Sequence, residues 1–163
     1  MSALASVVGR SRVDVHTFDG PVLAASAWPA LNVEGRRVGV FASSADNGDV
    51  LLEIVKRADL VKVFHRHPGH VLPSLPLARL AVRSPRVARA AGRWHLRVAI
   101  RDKEMRRQLT PVRTRTVTVS NRWYRAMRRP NCQLITWPVT GVTLRGVRTA
   151  DGVEHVFDML ILA

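Results

Sequence analysis

The 163-residue sequence is poor in cysteine, in acidic residues and in long apolar runs. A single cysteine, Cys132, excludes an intramolecular disulfide and a cysteine-rich metal site, so we assign it no role. No run of about 18 apolar residues is present that could form a transmembrane helix. Together with a hydrophobic content of 47% and a charged content of 23%, these absences predict one globular, cytoplasmic chain.

The scarcity of acidic residues makes the chain strongly basic. Twelve Asp and Glu stand against 26 Lys and Arg, which gives a net charge of +14. This charge attracts polyanions, so nucleic acid, acidic lipid and phosphorylated cofactors are all candidate partners. The basic residues are mostly Arg and are spread along the chain, which is also the composition that a GC-rich coding sequence produces. Charge alone therefore does not choose a partner.

One segment changes its hydrophobic pattern twice. Val38 to Phe41 are an apolar run typical of a buried parallel strand, and the small, polar residues of 42–48 predict a loop. Apolar residues at helical spacing then predict a helix over 50–58, and a second strand follows at 60–64. Three polar residues are placed to cap the helix at its N-terminus: Asp46, Asn47 and Asp49. The segment is predicted to be a βαβ unit with a right-handed crossover.

The remaining chain predicts helices first and strands afterwards. Between about 74 and 110, apolar residues recur at helical intervals with Arg between them, which predicts one or two amphipathic helices that cover the sheet. The apolar positions are Val87, Ala91, Trp94, Val98, Met105 and Leu109. A basic amphipathic helix can also lie on a membrane, but core packing is favoured within a domain. The alternation over 141–149, the turn Asp151–Gly152 and the apolar stretch 155–157 predict a C-terminal β-hairpin.

The loop after the first strand lies where a dinucleotide-binding fold carries its glycine-rich turn. That turn lets the backbone approach the pyrophosphate and aims a helix N-terminus at its charge. Here the candidate cofactor-binding residues are Ala42, Ser43, Ser44, Ala45 and Asp46. Ala and Ser replace the first two glycines, and Asp46 adds a negative charge. The position therefore favours dinucleotide binding, while the chemistry argues against tight binding.

The end of the second strand indicates which dinucleotide would fit. An acidic residue there suits NAD and a basic one suits the 2′-phosphate of NADP. The sequence offers Lys62, His65, Arg66 and His67 and no acid. Arg66 is the candidate for that phosphate, because a guanidinium holds phosphate through two hydrogen bonds; the alternative is a solvated surface Arg. No histidine spacing supports a metal site, and no nucleophile–base arrangement predicts a catalytic residue.

Five segments, in order, carry a resemblance to a known family. FDGPVLAASAWP follows the pattern F-x-G-x-x-x-H-x-x-x-W-P, with Phe18, Gly20, Trp28 and Pro29 matching and Ala24 at the histidine position. The others are NVEGRRVGVF, LVKVFHRHPGHVLP, RDKEMRRQLTP with TRTVTVSNRWYRAMRRPNCQLITWPVTGV, and ADGVEHVFDMLILA. The chain thus resembles the NADPH-binding portion of flavin-containing and Baeyer–Villiger-type monooxygenases.

The resemblance implies an α/β fold: a Rossmann-like three-layer nucleotide-binding domain with a helical insert and a C-terminal β-hairpin. It implies a linker with the fingerprint at 1–32, an NADPH-binding-like domain at 33–140 and a β segment at 141–163 that leads toward a flavin domain. Arg66 falls at the phosphate-binding position, and Arg115 falls where the family usually has a lysine that helps to bind the NADPH phosphate. The implied activity is an NADPH-dependent monooxygenase reaction on FAD.

The departures from the family pattern argue against activity of this chain alone. The flavin domain's glycine motif is absent, Ala24 replaces the fingerprint histidine and the glycine turn is degraded. We expect a fragment or decayed paralogue, truncated at both ends, with at most weak NADP(H) binding and with FAD only if a partner chain supplies it. The alternatives are an NADPH-binding subunit completed in trans by a flavin-domain polypeptide, and a basic module for nucleic acid or acidic lipid. Self-association through an exposed face is a further expectation.

Overall fold

The computed structural model describes residues 7–8, 11–12, 15–27, 32–65, 68–75, 83–111 and 116–163. The described α-helices are α1 (Gly48–Arg57), α2 (Pro85–Ala99), α3 (Lys103–Leu109) and α4 (Arg122–Met127). The strands are β1 (Val7–Val8), β2 (Ser11–Arg12), β3 (Val22–Ala24), β4 (Arg37–Phe41), β5 (Leu60–Phe64), β6 (His70–Leu72), β7 (Val117–Val119), β8 (Cys132–Ile135), β9 (Val139–Thr143), β10 (Gly146–Thr149), β11 (Glu154–Val156) and β12 (Met159–Leu162).

The centre of the fold is a five-stranded sheet in the order β3-β12-β4-β5-β8, and every neighbouring pair in it is parallel. Strands β4 and β5 confirm the two predicted strands, and α1 is the helix between them. Strands from all three predicted segments, 1–32, 33–140 and 141–163, pair within this one sheet. The division of the chain at those residues stays a prediction, whereas the predicted α/β class with a parallel central sheet is confirmed.

Two different layers cover the two faces of this sheet. On one face, α1 and α4 pack on apolar side chains of β4, β5 and β12, such as Val40, Val63 and Ile161. On the other face, a second cluster joins Phe41 and Phe64 to side chains of the C-terminal strands. Alternate residues of a strand point to opposite faces, so the apolar run of β4 supplies both clusters.

The ends of α1 are held differently from the prediction. Asn47 occupies the N-cap position but makes no side-chain capping hydrogen bond. Asp46 does not cap the helix either, because its carboxylate accepts a hydrogen bond from the Ser44 hydroxyl at 2.5 Å. The carboxylate of Asp49 lies 3.1 Å from Arg122. At the other end, Asn131 Nδ2 donates to the carbonyls at the end of α1 at 2.8 and 2.9 Å and so satisfies groups that the helix leaves free.

Helices α2 and α3 confirm the predicted helical insert, but the predicted inward face of α2 is wrong. Val87, Trp94 and Val98 are 51%, 58% and 60% exposed. The helix instead buries a strip formed by Ala88, Gly92 and Leu96 against β6. Gly92 explains the choice, since a Cβ there would lie 3.1 Å from the Cβ of His70, so the helix approaches β6 through its smallest residues. No described helix is both long and apolar enough to cross a membrane.

The C-terminal hairpin is confirmed and extended by one strand. β10 pairs antiparallel with β11 across the turn at Asp151–Gly152, where Gly152 adopts a positive φ of 84°. The stretch 141–149 was expected as one strand, but a turn at Leu144–Arg145 divides it into β9 and β10. The result is a three-stranded sheet, β11-β10-β9, that contributes Val147 to the second cluster.

Candidate functional site

The β4–α1 loop, 42–47, lies at the carboxyl edge of the central sheet, where the strand order reverses. From β4 the chain proceeds through α1 to β5 on one side, while β12 and β3 lie on the other. The crevice outside the carboxyl ends of strands at such a point is where open parallel sheets bind ligands. Among the described strands of this sheet, only β4 is followed directly by an α-helix. The loop is therefore the candidate dinucleotide site, and the structure places Ala42, Ser43, Ser44, Ala45 and Asp46 there.

The loop is anchored on one side by the end of β12. The Ser43 amide donates to the carbonyl of Ala163 at 3.1 Å, and the Ser43 hydroxyl donates to the same oxygen at 3.1 Å. Ala42 donates its amide to the Phe64 carbonyl at 3.1 Å. The first half of the loop is thus tied to both neighbouring strands, and these two amides are not free to meet a phosphate.

The second half of the loop is folded back on itself by Ser44 and Asp46. The Ser44 hydroxyl donates to the Asp46 carboxylate at 2.5 Å and accepts from the Asp46 amide at 3.2 Å. Such local side-chain bonds are typical of serine and aspartate in turns. They place a carboxylate beside the N-terminus of α1, where the partial positive charge of the helix would otherwise favour an anion. Topology therefore favours a dinucleotide, while this carboxylate opposes its phosphates.

His65 and Trp123 form a buried pair that contacts the start of the loop. The sequence did not predict this contact. His65 is 3% exposed, and its Nδ1 lies 2.8 Å from the Ala42 carbonyl oxygen. Its ring packs edge to face on Trp123, with ring centroids 5.2 Å apart. The Trp123 backbone amide in turn donates a hydrogen bond to the Ser120 hydroxyl oxygen at 3.2 Å. His65 was a candidate basic residue at the strand end, but its burial makes it a support for the loop backbone.

Gly48, the first residue of α1, allows the start of this helix to pack closely against α4. A Cβ at Gly48 would lie 2.6 Å from the Ser120 hydroxyl oxygen and 2.8 Å from the Trp123 amide nitrogen. Such approaches are shorter than real Cβ atoms make, so the start of α1 can touch α4 only with glycine here. The sequence contains this glycine one residue after the predicted loop positions, but only the contact explains it.

Lys62 lies on the opposite face of the sheet from α1. Its Nζ is 3.1 Å from Nδ1 of His155, and His155 Nε2 is 3.2 Å from the Thr149 hydroxyl. Thr149 donates to Asp151 at 2.5 Å. Burial lowers the pKa of Lys62 and is also the main cause that lowers the pKa of His155, with the Lys62 charge acting in the same direction. Lys62 therefore joins β5 to the three-stranded sheet and does not lie at the loop.

Three of the candidate cofactor-binding residues, Arg66, His67 and Arg115, lie outside the described residues, as do Trp28 and Pro29. Arg66 and His67 follow His65 directly in the chain, so the chain reaches them from the carboxyl end of β5. Within the described ranges, no group of three or more His, Cys, Asp or Glu side chains could hold a metal ion. Of the clustered histidines, His70 is buried beneath α2.

Comparison with known proteins shows what the chain is similar to. No protein-family profile matches the sequence. An uncharacterised monooxygenase of Mycobacterium tuberculosis is 26% identical over 90% of the chain, and a Baeyer–Villiger monooxygenase of Pseudomonas aeruginosa is 23% identical over 90%. The chain is therefore similar to Baeyer–Villiger-type monooxygenases over most of its length. It spans 37% and 35% of the length of these two relatives.

Solved monooxygenase structures share the fold. Cyclohexanone monooxygenase from Rhodococcus sp. Phi1, bound to NADP+, superposes with a TM-score of 0.77 at 21% identity over 93% of this chain and 42% of its own. Steroid monooxygenase bound to NADP gives a TM-score of 0.77 at 18% identity, again over 93% of this chain and 42% of its own. These likenesses confirm the predicted Rossmann-like domain.

The described part of the monooxygenase fingerprint is used for packing. Phe18 is buried in the second apolar cluster with Phe41 and Phe64. A Cβ at Gly20 would lie 2.5 Å from the Phe18 ring and 3.0 Å from the Asp158 carbonyl oxygen, so glycine is required for the close approach. Ala24, at the fingerprint histidine position, ends β3 and pairs with Leu162 of β12. Phe18 and Gly20 thus have a structural role that does not depend on the residue at position 24.

Proposed function

We propose that this chain is a nucleotide-binding domain of the type found in flavin-dependent monooxygenases. By itself, the chain would bind NADP(H) weakly and would have no monooxygenase activity. The observation that carries the proposal is the position of the β4–α1 loop at the carboxyl edge of the sheet, next to the end of β5, where His65 contacts the Ala42 carbonyl. The sequence relatives are monooxygenases, and the structural neighbours include NADP-bound ones.

NADP(H) fits this edge in part. The pyrophosphate would meet the N-terminus of α1, and Arg66 and Arg115 would hold the 2′-phosphate through guanidinium hydrogen bonds. Ser44 and Asp46 oppose the fit, because their hydrogen-bonded pair places a side chain and a negative charge where the phosphates would approach. Binding is therefore expected to be weak and to depend mainly on Arg66.

FAD supplies the oxygen chemistry in enzymes of this type, and we propose that a separate flavin domain would hold it. Only one described strand of the central sheet runs directly into an α-helix, so we assign one dinucleotide site to that sheet and propose that it takes NADP(H). The role of this chain is then to bind and orient the nicotinamide cofactor against a flavin domain, in the same polypeptide or in a partner.

Calorimetric titration of the purified chain with NADPH and with NADH tests the proposal. NADPH should bind at least about tenfold more tightly, the factor expected from charge-assisted bonds to one phosphate. Arg66→Ala should abolish this difference, whereas Arg86→Ala on the exposed face of α2 should preserve it. Equal affinities for the two cofactors, or no binding of either by the wild-type chain, would remove the cofactor assignment.

A further inference from the structure

A second polar cleft lies between α1 and α4. It is an open cleft of about 430 Å³, and its lining residues are Leu52, Lys56, Arg125, Arg128 and Arg129. Four of these five side chains are cations. The cleft is therefore a concave concentration of positive charge on an already basic protein.

Most of this charge has no carboxylate partner within the described part of the chain. Lys56 pairs with Glu53 at 2.6 Å. Among the described residues, no carboxylate forms a salt bridge with Arg125, Arg128 or Arg129. Like charges that converge without counter-charges repel each other, so a bound anion would stabilise the arrangement. Three guanidinium groups provide the planar donor pairs that phosphate oxygens accept.

The cleft is separate from the candidate cofactor loop. Lys56 lies in the last turn of α1, about 12 Å along the helix from Gly48 at the rise of an α-helix. Arg129 precedes β8 and so lies toward the amino ends of the strands, whereas the 42–47 loop lies at the carboxyl ends. One dinucleotide bound at the loop would not place its pyrophosphate in this cleft.

We propose that this cleft binds a small ligand that carries two or more adjacent phosphate groups. The cations converge on one concavity, which suits a compact polyphosphate better than a nucleic acid duplex, because a duplex presents a convex backbone and needs cations spread along it. Leu52 forms the floor of the cleft but is only 7% exposed, so the cations provide nearly all of the binding surface. The site is independent of NADP(H) binding and needs no flavin.

The test uses inorganic triphosphate as the probe, titrated into the full chain by calorimetry in buffer of about 20 mM salt, where exposed charges are little screened. Arg125→Ala/Arg129→Ala should weaken binding at least about tenfold, the effect of losing charge-assisted contacts. Arg86→Ala/Arg97→Ala is the matched control, since it removes the same charge from the exposed face of α2 and should change the affinity less than about twofold.

Further arms separate the outcomes. Arg129→Ala alone removes one exposed side chain and should weaken triphosphate binding while circular dichroism shows an unchanged fold. Orthophosphate should bind more weakly than triphosphate, and Arg66→Ala should leave triphosphate binding unchanged. Equal weakening by the cleft and control double variants would overturn the proposal in favour of general charge attraction. Loss of triphosphate binding in Arg66→Ala would overturn the proposal as well. So would a duplex oligonucleotide that binds the chain more tightly than triphosphate does.

Discussion

Neutralising Asp46 should strengthen NADPH binding. Its carboxylate is hydrogen-bonded to the Ser44 hydroxyl at 2.5 Å, which favours a position beside the N-terminus of α1, where an incoming phosphate would approach. Two unit charges about 5 Å apart repel by roughly 1 kcal/mol in water and about 3 kcal/mol at an effective dielectric constant of 20. Because Asp46 is exposed, the lower value applies, and Asp46→Asn should tighten NADPH binding by about fivefold at low salt.

Asp49→Asn is the matched control for this prediction. Asp49 lies in the first turn of the same helix, but its carboxylate is paired with Arg122 at 3.1 Å. Its removal frees that arginine, and the change in NADPH affinity should be smaller than for Asp46→Asn. Fluorescence or calorimetric titration measures both, and the Asp46 effect should shrink at about 1 M salt because screening then acts over about 3 Å. An equal gain in the two variants, or none in Asp46→Asn, would refute the electrostatic reasoning.

Three further predictions concern stability. Gly48→Ala forces a Cβ within 2.8 Å of the Trp123 amide and should lower the free energy of unfolding by about 1–3 kcal/mol in urea titrations, while Gly141→Ala, which meets no atom within 4 Å, should change it little. Asn131→Ala leaves two carbonyls of the α1 end without donors and should cost about 1–3 kcal/mol in the same assay; a loss within error would mean that water replaces the amide. Burial lowers the pKa of His155 below its ordinary 6.5, so the unfolded chain takes up a proton first as the pH falls. Stability should therefore decrease from about pH 7.5 to about pH 5.5, and His155→Gln should reduce that decrease; an unchanged pH dependence would argue against this group.

The local elements of the fold could be predicted from short-range patterns. The apolar run before the loop and the helical spacing after it identified β4, α1 and β5, because the period of buried residues follows from the geometry of each element. The turn Asp151–Gly152 was equally readable, since glycine suits the positive φ that this turn adopts. The loop at 42–47 followed from its place between a strand and a helix.

The similarity to monooxygenases is also visible in the sequence, through ordered motifs that each carry modest information. Phe18 and Gly20 stand at their fingerprint positions, and the structure gives the reason, since the Phe18 ring leaves no room for a Cβ at Gly20. Because this contact restricts which residue types fit at both positions, the pair can be recognised in the sequence.

Contacts between distant segments were decided only by the tertiary structure. The insertion of β12 between β3 and β4 joins segments more than a hundred residues apart, and no local pattern encodes that neighbour. The predicted inward face of α2 is wrong for a related reason. The helix packs on β6 through a strip that includes the small residues Ala88 and Gly92, although Val87, Trp94 and Val98 are more apolar. His65 is one of the basic residues at the end of β5, and only the tertiary structure shows that it is buried with its Nδ1 2.8 Å from the Ala42 carbonyl oxygen. The sequence by itself determined the main elements and the similarity to monooxygenases, because these depend on local geometry and on motif order. Packing alone decided which side chains meet, because close approach depends on the space that distant residues leave.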